Sequence, residues 1–150
     1  MKKPLAALVL MTLTAAAMAQ QAMKPEEMIK ARKAGYSFMS WNMGKIKANL
    51  DGSFNKDQVV AAANVVAAVA NSGMGALFGP GTDKEVGGEK TRVKPEFFQQ
   101  QDKVRELAMN FNKEANELAK VAATGDKAAV QAQFGKTGAT CKACHDEFRN

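Results

Sequence analysis

The sequence has few residues of the kinds that build metal centres, disulfide frameworks and hydrolytic active sites. Its 150 residues include only two cysteines, one histidine and one tyrosine. A structural zinc site needs more Cys and His ligands than these. No carboxylate pair and no nucleophile beside a base is apparent either, and the one histidine belongs to the motif described below. We therefore expect a protein that is not an enzyme.

Long hydrophobic runs and long runs of one charge are also missing. The longest apolar stretch near the amino terminus, residues 5–17, is shorter than the roughly 20 residues that a membrane span needs. The net charge is +6, but the basic residues are scattered among acidic ones. Nucleic-acid-binding proteins usually concentrate positive charge on one face. We therefore expect neither nucleic-acid binding nor membrane insertion.

The amino terminus has the pattern of an export signal. Lys2 and Lys3 precede the apolar run, and the stretch AMA at residues 17–19 has the small-x-small form of a cleavage site. We predict that residues 1–19 are a cleaved signal peptide and that residues 20–150 form one domain in the bacterial periplasm. A retained membrane anchor is the alternative.

Apolar periodicity and helix start and stop signals predict four helices. They span residues 25–50, 56–71, 95–124 and 127–150. Asn55 and Asp126 are the predicted amino-terminal caps of the second and the fourth. No segment shows convincing strand alternation. We predict an all-α fold, an antiparallel four-helix bundle whose one long crossover covers residues 72–93.

Three of the predicted helices have a row of residues at three- and four-residue spacing that we expect to face the core. The rows are Ile29, Arg32, Tyr36, Met39, Met43, Ile46 and Leu50 in the first helix, Phe97, Gln101, Val104, Ala108, Phe111, Ala115, Leu118 and Ala122 in the third, and Val130, Phe134, Thr137, Cys141, Cys144 and Phe148 in the fourth. The second helix is rich in alanine, so a neighbouring helix can approach it closely.

Both cysteines and the histidine lie within the five residues CKACH, at 141–145. This matches the c-type haem attachment signature C-x-x-C-H. Thiols one helical turn apart can add across the two haem vinyl groups, and the next residue directs an imidazole at the iron. We predict one covalently bound haem c, with thioethers to Cys141 and Cys144 and iron bound by His145. A thioredoxin-like thiol pair and a zinc site are the alternatives, but a βαβ pattern and a further zinc ligand are both missing.

Residues 24–150 resemble the cytochrome c′ family, the class II c-type cytochromes with a four-helix fold. The resemblance rests on four stretches in the same order: RKAGYSFMSWNMGKIKANLDG, NSGMGALFGPGTD, TRVKPEFF and TCKACHDEFR. It implies a high-spin, five-coordinate haem with His145 as fifth ligand and a vacant, crowded distal face. It also implies Tyr36 at the distal position, where many members have leucine. An ordinary core aromatic is the alternative for Tyr36.

The resemblance also assigns four basic residues to the haem surroundings. Arg32 falls at the position of an arginine that contacts the haem propionates, and a guanidinium in a helical seam needs an anion of this kind. Lys33 stands where the family usually has glutamine, which departs from the pattern. Arg92 falls in the loop at the haem edge, with a solvated charge as the alternative. Arg149 falls on the proximal side, with compensation of the helix end as the alternative.

Two functions are consistent with these features. The first is a gas-binding haem protein, in which nitric oxide or carbon monoxide binds at the vacant distal site, with nitric oxide detoxification and electron transfer as roles. Nitric oxide bound there would weaken the bond to His145. The second is a low-spin electron carrier with a methionine as sixth ligand, for which Met28, Met39 and Met43 are candidates. The resemblance further implies a homodimer formed through the first two helices, and the redox partner is unknown.

Overall fold

The structure is a computed structural model, and it describes residues 23–150. The predicted signal peptide, residues 1–19, lies outside the described residues and stays a prediction. The described residues form five α-helices: α1 (Pro25–Asp51), α2 (Lys56–Ala70), α3 (Glu96–Gln99), α4 (Gln101–Thr124) and α5 (Lys127–Phe148). Extended structure in the described part of the chain is limited to two isolated β-bridges. The prediction of an all-α fold is confirmed.

The helix boundaries follow the local sequence signals. Asn55 caps α2, since its side-chain oxygen accepts a hydrogen bond from the backbone N–H of Gln58 at 3.0 Å. Asp126 caps α5 in the same way, with acceptor contacts to two backbone N–H groups at 2.9 and 3.1 Å. Gly125 ends α4 in the left-handed conformation, with φ of 79°. Both predicted caps are therefore confirmed.

The prediction of a single helix over residues 95–124 is wrong. The chain breaks at Gln100, where φ is −112° and ψ is 52°. The Gln101 side chain donates to the carbonyl oxygen of Phe97 at 2.7 Å, in place of the backbone N–H that would continue the helix. Gln101 and Ala108, which were expected to face the core, are exposed.

The four long helices form the bundle, but they do not pack equally. α2 packs on both α1 and α4, and α4 packs on α5, whereas α1 and α5 touch at few points. The largest apolar cluster lies where the three packed seams meet, and it consists of Ile46, Leu50, Val59, Ala62, Ala63, Leu118, Ala122 and Val130. The alanines of α2 allow this close approach. We call this loosely packed α1–α5 seam the groove.

The crossover between α2 and α3 includes a 3₁₀ turn at Met74–Leu77, which packs against α1. None of the helices in residues 23–150 is both long enough and apolar enough to cross a membrane.

Candidate haem-binding groove

The groove holds the residues of the CKACH motif on its α5 side. Cys141 and Cys144 lie one helical turn apart, and both thiols are free and half-buried. His145 follows directly and is exposed. The Cys144 side chain packs against a cluster of apolar residues from the crossover, α3, α4 and α5 that includes Phe97 and Phe148. The motif therefore faces a groove with an apolar end.

The surroundings of both thiols disfavour the thiolate form. Burial raises the pKa of both Cys141 and Cys144, and the charge of Cys144 raises that of Cys141 further. A thioredoxin-like thiol needs a lowered pKa, because the thiolate is the nucleophile. The environment of the groove therefore argues against the thiol-redox alternative.

Tyr36 lies on the α1 side of the groove, and 42% of its surface is exposed. The prediction that Tyr36 stands at the distal position of the haem stays a prediction. Its ring meets Phe78 edge-on, with ring centroids 6.4 Å apart. Burial of the phenol among the surrounding side chains raises its pKa to about 12, and charge on Cys144 and Cys141 acts in the same direction. The structure thus brings Tyr36 close to the attachment cysteines, and its hydroxyl stays protonated at neutral pH.

Arg32 lies one turn before Tyr36 on α1, with only 3% of its surface exposed. Its guanidinium donates to the Leu77 carbonyl at 3.1 Å, to the Thr82 hydroxyl at 2.7 Å and to the Thr91 hydroxyl at 2.7 Å. The Phe78 ring lies beneath it, 4.6 Å from the centroid.

The oxygen atoms around Arg32 satisfy its hydrogen bonds but leave its charge without a counter-ion. Within residues 23–150, no carboxylate lies within ion-pair distance of it. Burial lowers the pKa of Arg32, which reflects the cost of holding the charge in this position. An additional anion at the groove would offset that cost. Since haem carries two propionates, this residue fits the cofactor, and the expected contact with a propionate stays a prediction.

The other three basic residues differ in what they contact. Lys33 forms an ion pair with Glu89 at 2.9 Å, and this hydrogen bond lowers the pKa of the Glu89 carboxyl. Arg92 is exposed, and its carbonyl oxygen accepts from the backbone N–H of Asn150 at 2.8 Å. Arg149 places a guanidinium nitrogen 3.3 Å from Nδ1 of the histidine one turn earlier. Only Arg149 therefore touches another candidate site residue directly.

Sequence reasoning missed the crossover residues that complete the groove. Phe78 contacts Arg32, Tyr36 and Phe97, and Thr82 is fully buried. Both belong to the stretch NSGMGALFGPGTD, which was part of the resemblance but was given no site role. Its combination of glycine, proline and one aromatic residue is the signal that could have identified them.

Comparison with known proteins identifies the family. The family model described as Cytochrome C′ matches residues 27–149. The chain belongs to the cytochrome c′ family. As a member it carries covalently bound haem c, and the CKACH motif in the groove of this cytochrome c′ supplies the two thiols and the imidazole that such a haem needs. Thiols that are bound to haem are not available for a zinc site or for thiol redox chemistry.

The relatives are similar over nearly the whole described chain. Cytochrome c′ of Allochromatium vinosum is 63% identical over 127 residues, which cover 85% of this chain and 82% of that protein. A solved cytochrome c′ with an unusual ligand-controlled dimer dissociation is 63% identical, with a TM-score of 0.84 over 85% of this chain and 97% of that one. The nitric oxide complex of a cytochrome c′ variant from Alcaligenes xylosoxidans is 29% identical, with a TM-score of 0.74 over 85% and 97% of the two chains. The predicted four-helix fold of cytochrome c′ is confirmed.

Proposed function

We propose that this cytochrome c′ is a periplasmic gas-binding protein whose haem iron is five-coordinate and high-spin at rest, and that nitric oxide and carbon monoxide bind at its vacant distal site. When bound, the haem supplies the iron to which the gas attaches. His145 holds that iron from α5, and Cys141 and Cys144 hold the porphyrin.

The observation that carries this proposal is the position of the methionines on α1. Met39 is buried in a core cluster with Val66, Ala70 and Ala115. Met43 packs against both core clusters. The competing six-coordinate electron carrier needs one such sulfur atom in the groove. The side chains of Met39 and Met43 pack in the core instead.

Met28, the third candidate ligand, is engaged with the crossover. A Cβ atom placed on Gly79 would lie only 2.7 Å from the Met28 sulfur, so the sulfur rests against the backbone of the loop. The side chain that faces the attachment cysteines is the phenol of Tyr36 instead. A protonated phenol is a poor iron ligand, which leaves the distal position for an external one.

Tyr36 also accounts for selectivity. An aromatic ring at the distal position would exclude water and bulky anions, whereas diatomic gases are small and neutral. The nitric oxide complex of the Alcaligenes xylosoxidans relative supports this choice of ligand. We infer nitric oxide binding or detoxification together with electron transfer as the roles, without enzymatic turnover, and with residues 1–19 directing export to the periplasm.

We further propose a homodimer formed through α1 and α2. Phe38 and Trp41 on α1 are stacked, with ring centroids 5.7 Å apart, and are 50% and 59% exposed. Lys45 lies 4.0 Å above the Trp41 ring. Exposed aromatic residues of this kind are enriched at the centres of protein interfaces. The similar cytochrome c′ with ligand-controlled dimer dissociation supports an assembly of two chains.

Absorption spectroscopy of the purified holoprotein tests the proposed iron site. We expect a high-spin charge-transfer band in the ferric protein, no methionine–iron band, and a large spectral change when nitric oxide is added to the ferrous protein. Sharp α and β bands of a low-spin ferrous haem before any gas is added would contradict the proposal and favour the six-coordinate carrier.

A further inference from the structure

The end of α5 is held by the segment 92–94, which leads from the crossover into α3. Val93 and Arg149 form an isolated antiparallel bridge. Next to it, the backbone N–H of Lys94 donates to the carbonyl oxygen of Phe148 at 2.9 Å. A segment distant in sequence thus pairs with the residues that directly follow the haem-binding motif.

Lys94 satisfies the carbonyl groups that the last turn of α5 leaves without helical partners. Its side-chain Nζ donates to the carbonyl oxygen atoms of Asp146 and Glu147, at 3.3 and 3.1 Å. Its backbone N–H donates to the third carbonyl oxygen, that of Phe148. These are the three residues that follow His145, so one lysine caps the whole turn that begins at the iron ligand.

Charge and packing strengthen this cap. A positive charge is favourable at a helix carboxyl end, where the helix dipole is negative. No carboxylate in the described part of the chain lies within ion-pair distance of the Lys94 ammonium group, so the helix end is its charge partner. On the other side of the turn, Phe148 is 3% exposed and meets Phe97 edge-on at 5.6 Å. The turn is therefore restrained from two directions.

We propose that Lys94 is a positioning residue for His145: by capping the last turn of α5, it resists withdrawal of the imidazole from the iron when a gas binds on the opposite face. This inference rests on the proposed function. Withdrawal would break the iron–nitrogen bond, with the electron pair kept by the imidazole, and movement of the turn from His145 onward would carry the imidazole away from the iron. Each hydrogen bond from Lys94 opposes that movement.

Three variants of the holoprotein separate this role from a general effect of charge. Lys94→Met removes the side-chain donors and keeps the chain length, and Lys94→Arg restores donors and charge. Lys90→Met is the matched control, because Lys90 is an exposed lysine of the same crossover. Amide hydrogen exchange of residues 147–150 should become roughly 3- to 10-fold faster in Lys94→Met, the range expected for losing a charged cap at a helix end. It should stay unchanged in Lys90→Met.

Resonance Raman spectra of the unliganded ferrous protein report on His145 itself. We expect the iron–histidine stretching frequency to fall in Lys94→Met and to return in Lys94→Arg. Release of the histidine after nitric oxide is added should be several-fold faster in Lys94→Met. This rate and the amide exchange rate should rise by a similar factor.

Faster exchange with an unchanged iron–histidine frequency and an unchanged release rate would mean that Lys94 stabilises only the helix end, and would overturn the proposal. So would equal effects of Lys94→Met and Lys90→Met. If the wild-type protein binds no nitric oxide, the proposed function fails, but the iron–histidine frequency in the unliganded variants still decides the role of Lys94.

Discussion

The guanidinium of Arg32 donates to both the side-chain hydroxyl and the backbone carbonyl of Thr82, at 2.7 and 2.5 Å. Because Arg32 lies one turn before Tyr36, this pair fixes the crossover against the part of α1 that carries Tyr36. Thr82 in turn donates to the Gly79 carbonyl at 2.8 Å. The loop is therefore anchored through one fully buried hydroxyl.

Thr82→Val keeps the shape of this side chain but removes its hydroxyl. The free energy of unfolding of the holoprotein should decrease by about 1–3 kcal/mol, because a buried charged donor then lacks an acceptor. Denaturant unfolding followed by circular dichroism measures this. Ser53→Ala, at an exposed site, is the control and should change the value little. Equal stability of Thr82→Val and the wild type would show that the Arg32–Thr82 contact does not anchor the loop.

Tyr36→Ala should open the distal face. The association rate of carbon monoxide with the ferrous protein should rise about tenfold or more, which corresponds to a barrier lower by ~1.4 kcal/mol. Tyr36→Phe keeps the ring and should leave the rate close to that of the wild type, if the ring alone restricts access. Stopped-flow mixing measures both rates. An unchanged rate in Tyr36→Ala would exclude Tyr36 as the gate.

The pKa of Tyr36 can be measured without ambiguity, since the sequence has one tyrosine. With a folded-state pKa of about 12, above the ~10 of an unfolded chain, the unfolded state loses its proton first as the pH rises. The stabilising contribution is thus complete below pH ~10 and is lost as the pH rises toward about 12. Carbon-13 NMR of labelled tyrosine should show the shifted titration. A midpoint near 10 in the folded protein would contradict the burial of the phenol.

Trp41→Ala should weaken the proposed dimer. Loss of a central aromatic side chain should raise the dimer dissociation constant by about tenfold or more, as measured by analytical ultracentrifugation. Met109→Ala is a matched control, because Met109 is a large apolar residue on α4 that is 65% exposed. An equal effect of the two substitutions, or none from Trp41→Ala, would argue against an interface at the Phe38–Trp41 stack.

Much of the fold could be predicted because its signals are local. Asn55 and Asp126 act on backbone N–H groups two or three residues away, so their capping could be predicted from spacing alone. The break at Gln100 could not, because it depends on a side chain that replaces a backbone donor. The periodicity at Phe97 and Gln101 continues across that break without interruption.

The candidate site likewise has one part that could be predicted from the sequence and another that could not. CKACH is a contiguous motif with a known chemical purpose, so its residues were found without the fold. The partners of Arg32 are about 45 to 59 positions away in sequence, and no helical pattern specifies them. The contact of Tyr36 with Phe78 was also beyond periodicity, because a helical pattern gives the face of α1 on which a residue lies but not its partner in the crossover.

The sparse contact between α1 and α5 leaves α2 as the main support of α1, because α1 is joined to the rest of the bundle chiefly through its seam with α2. The alanine-rich face of α2 therefore sets how far α1, and with it Tyr36, stands from the helix that carries CKACH. A larger side chain on that face would shift the site without touching it.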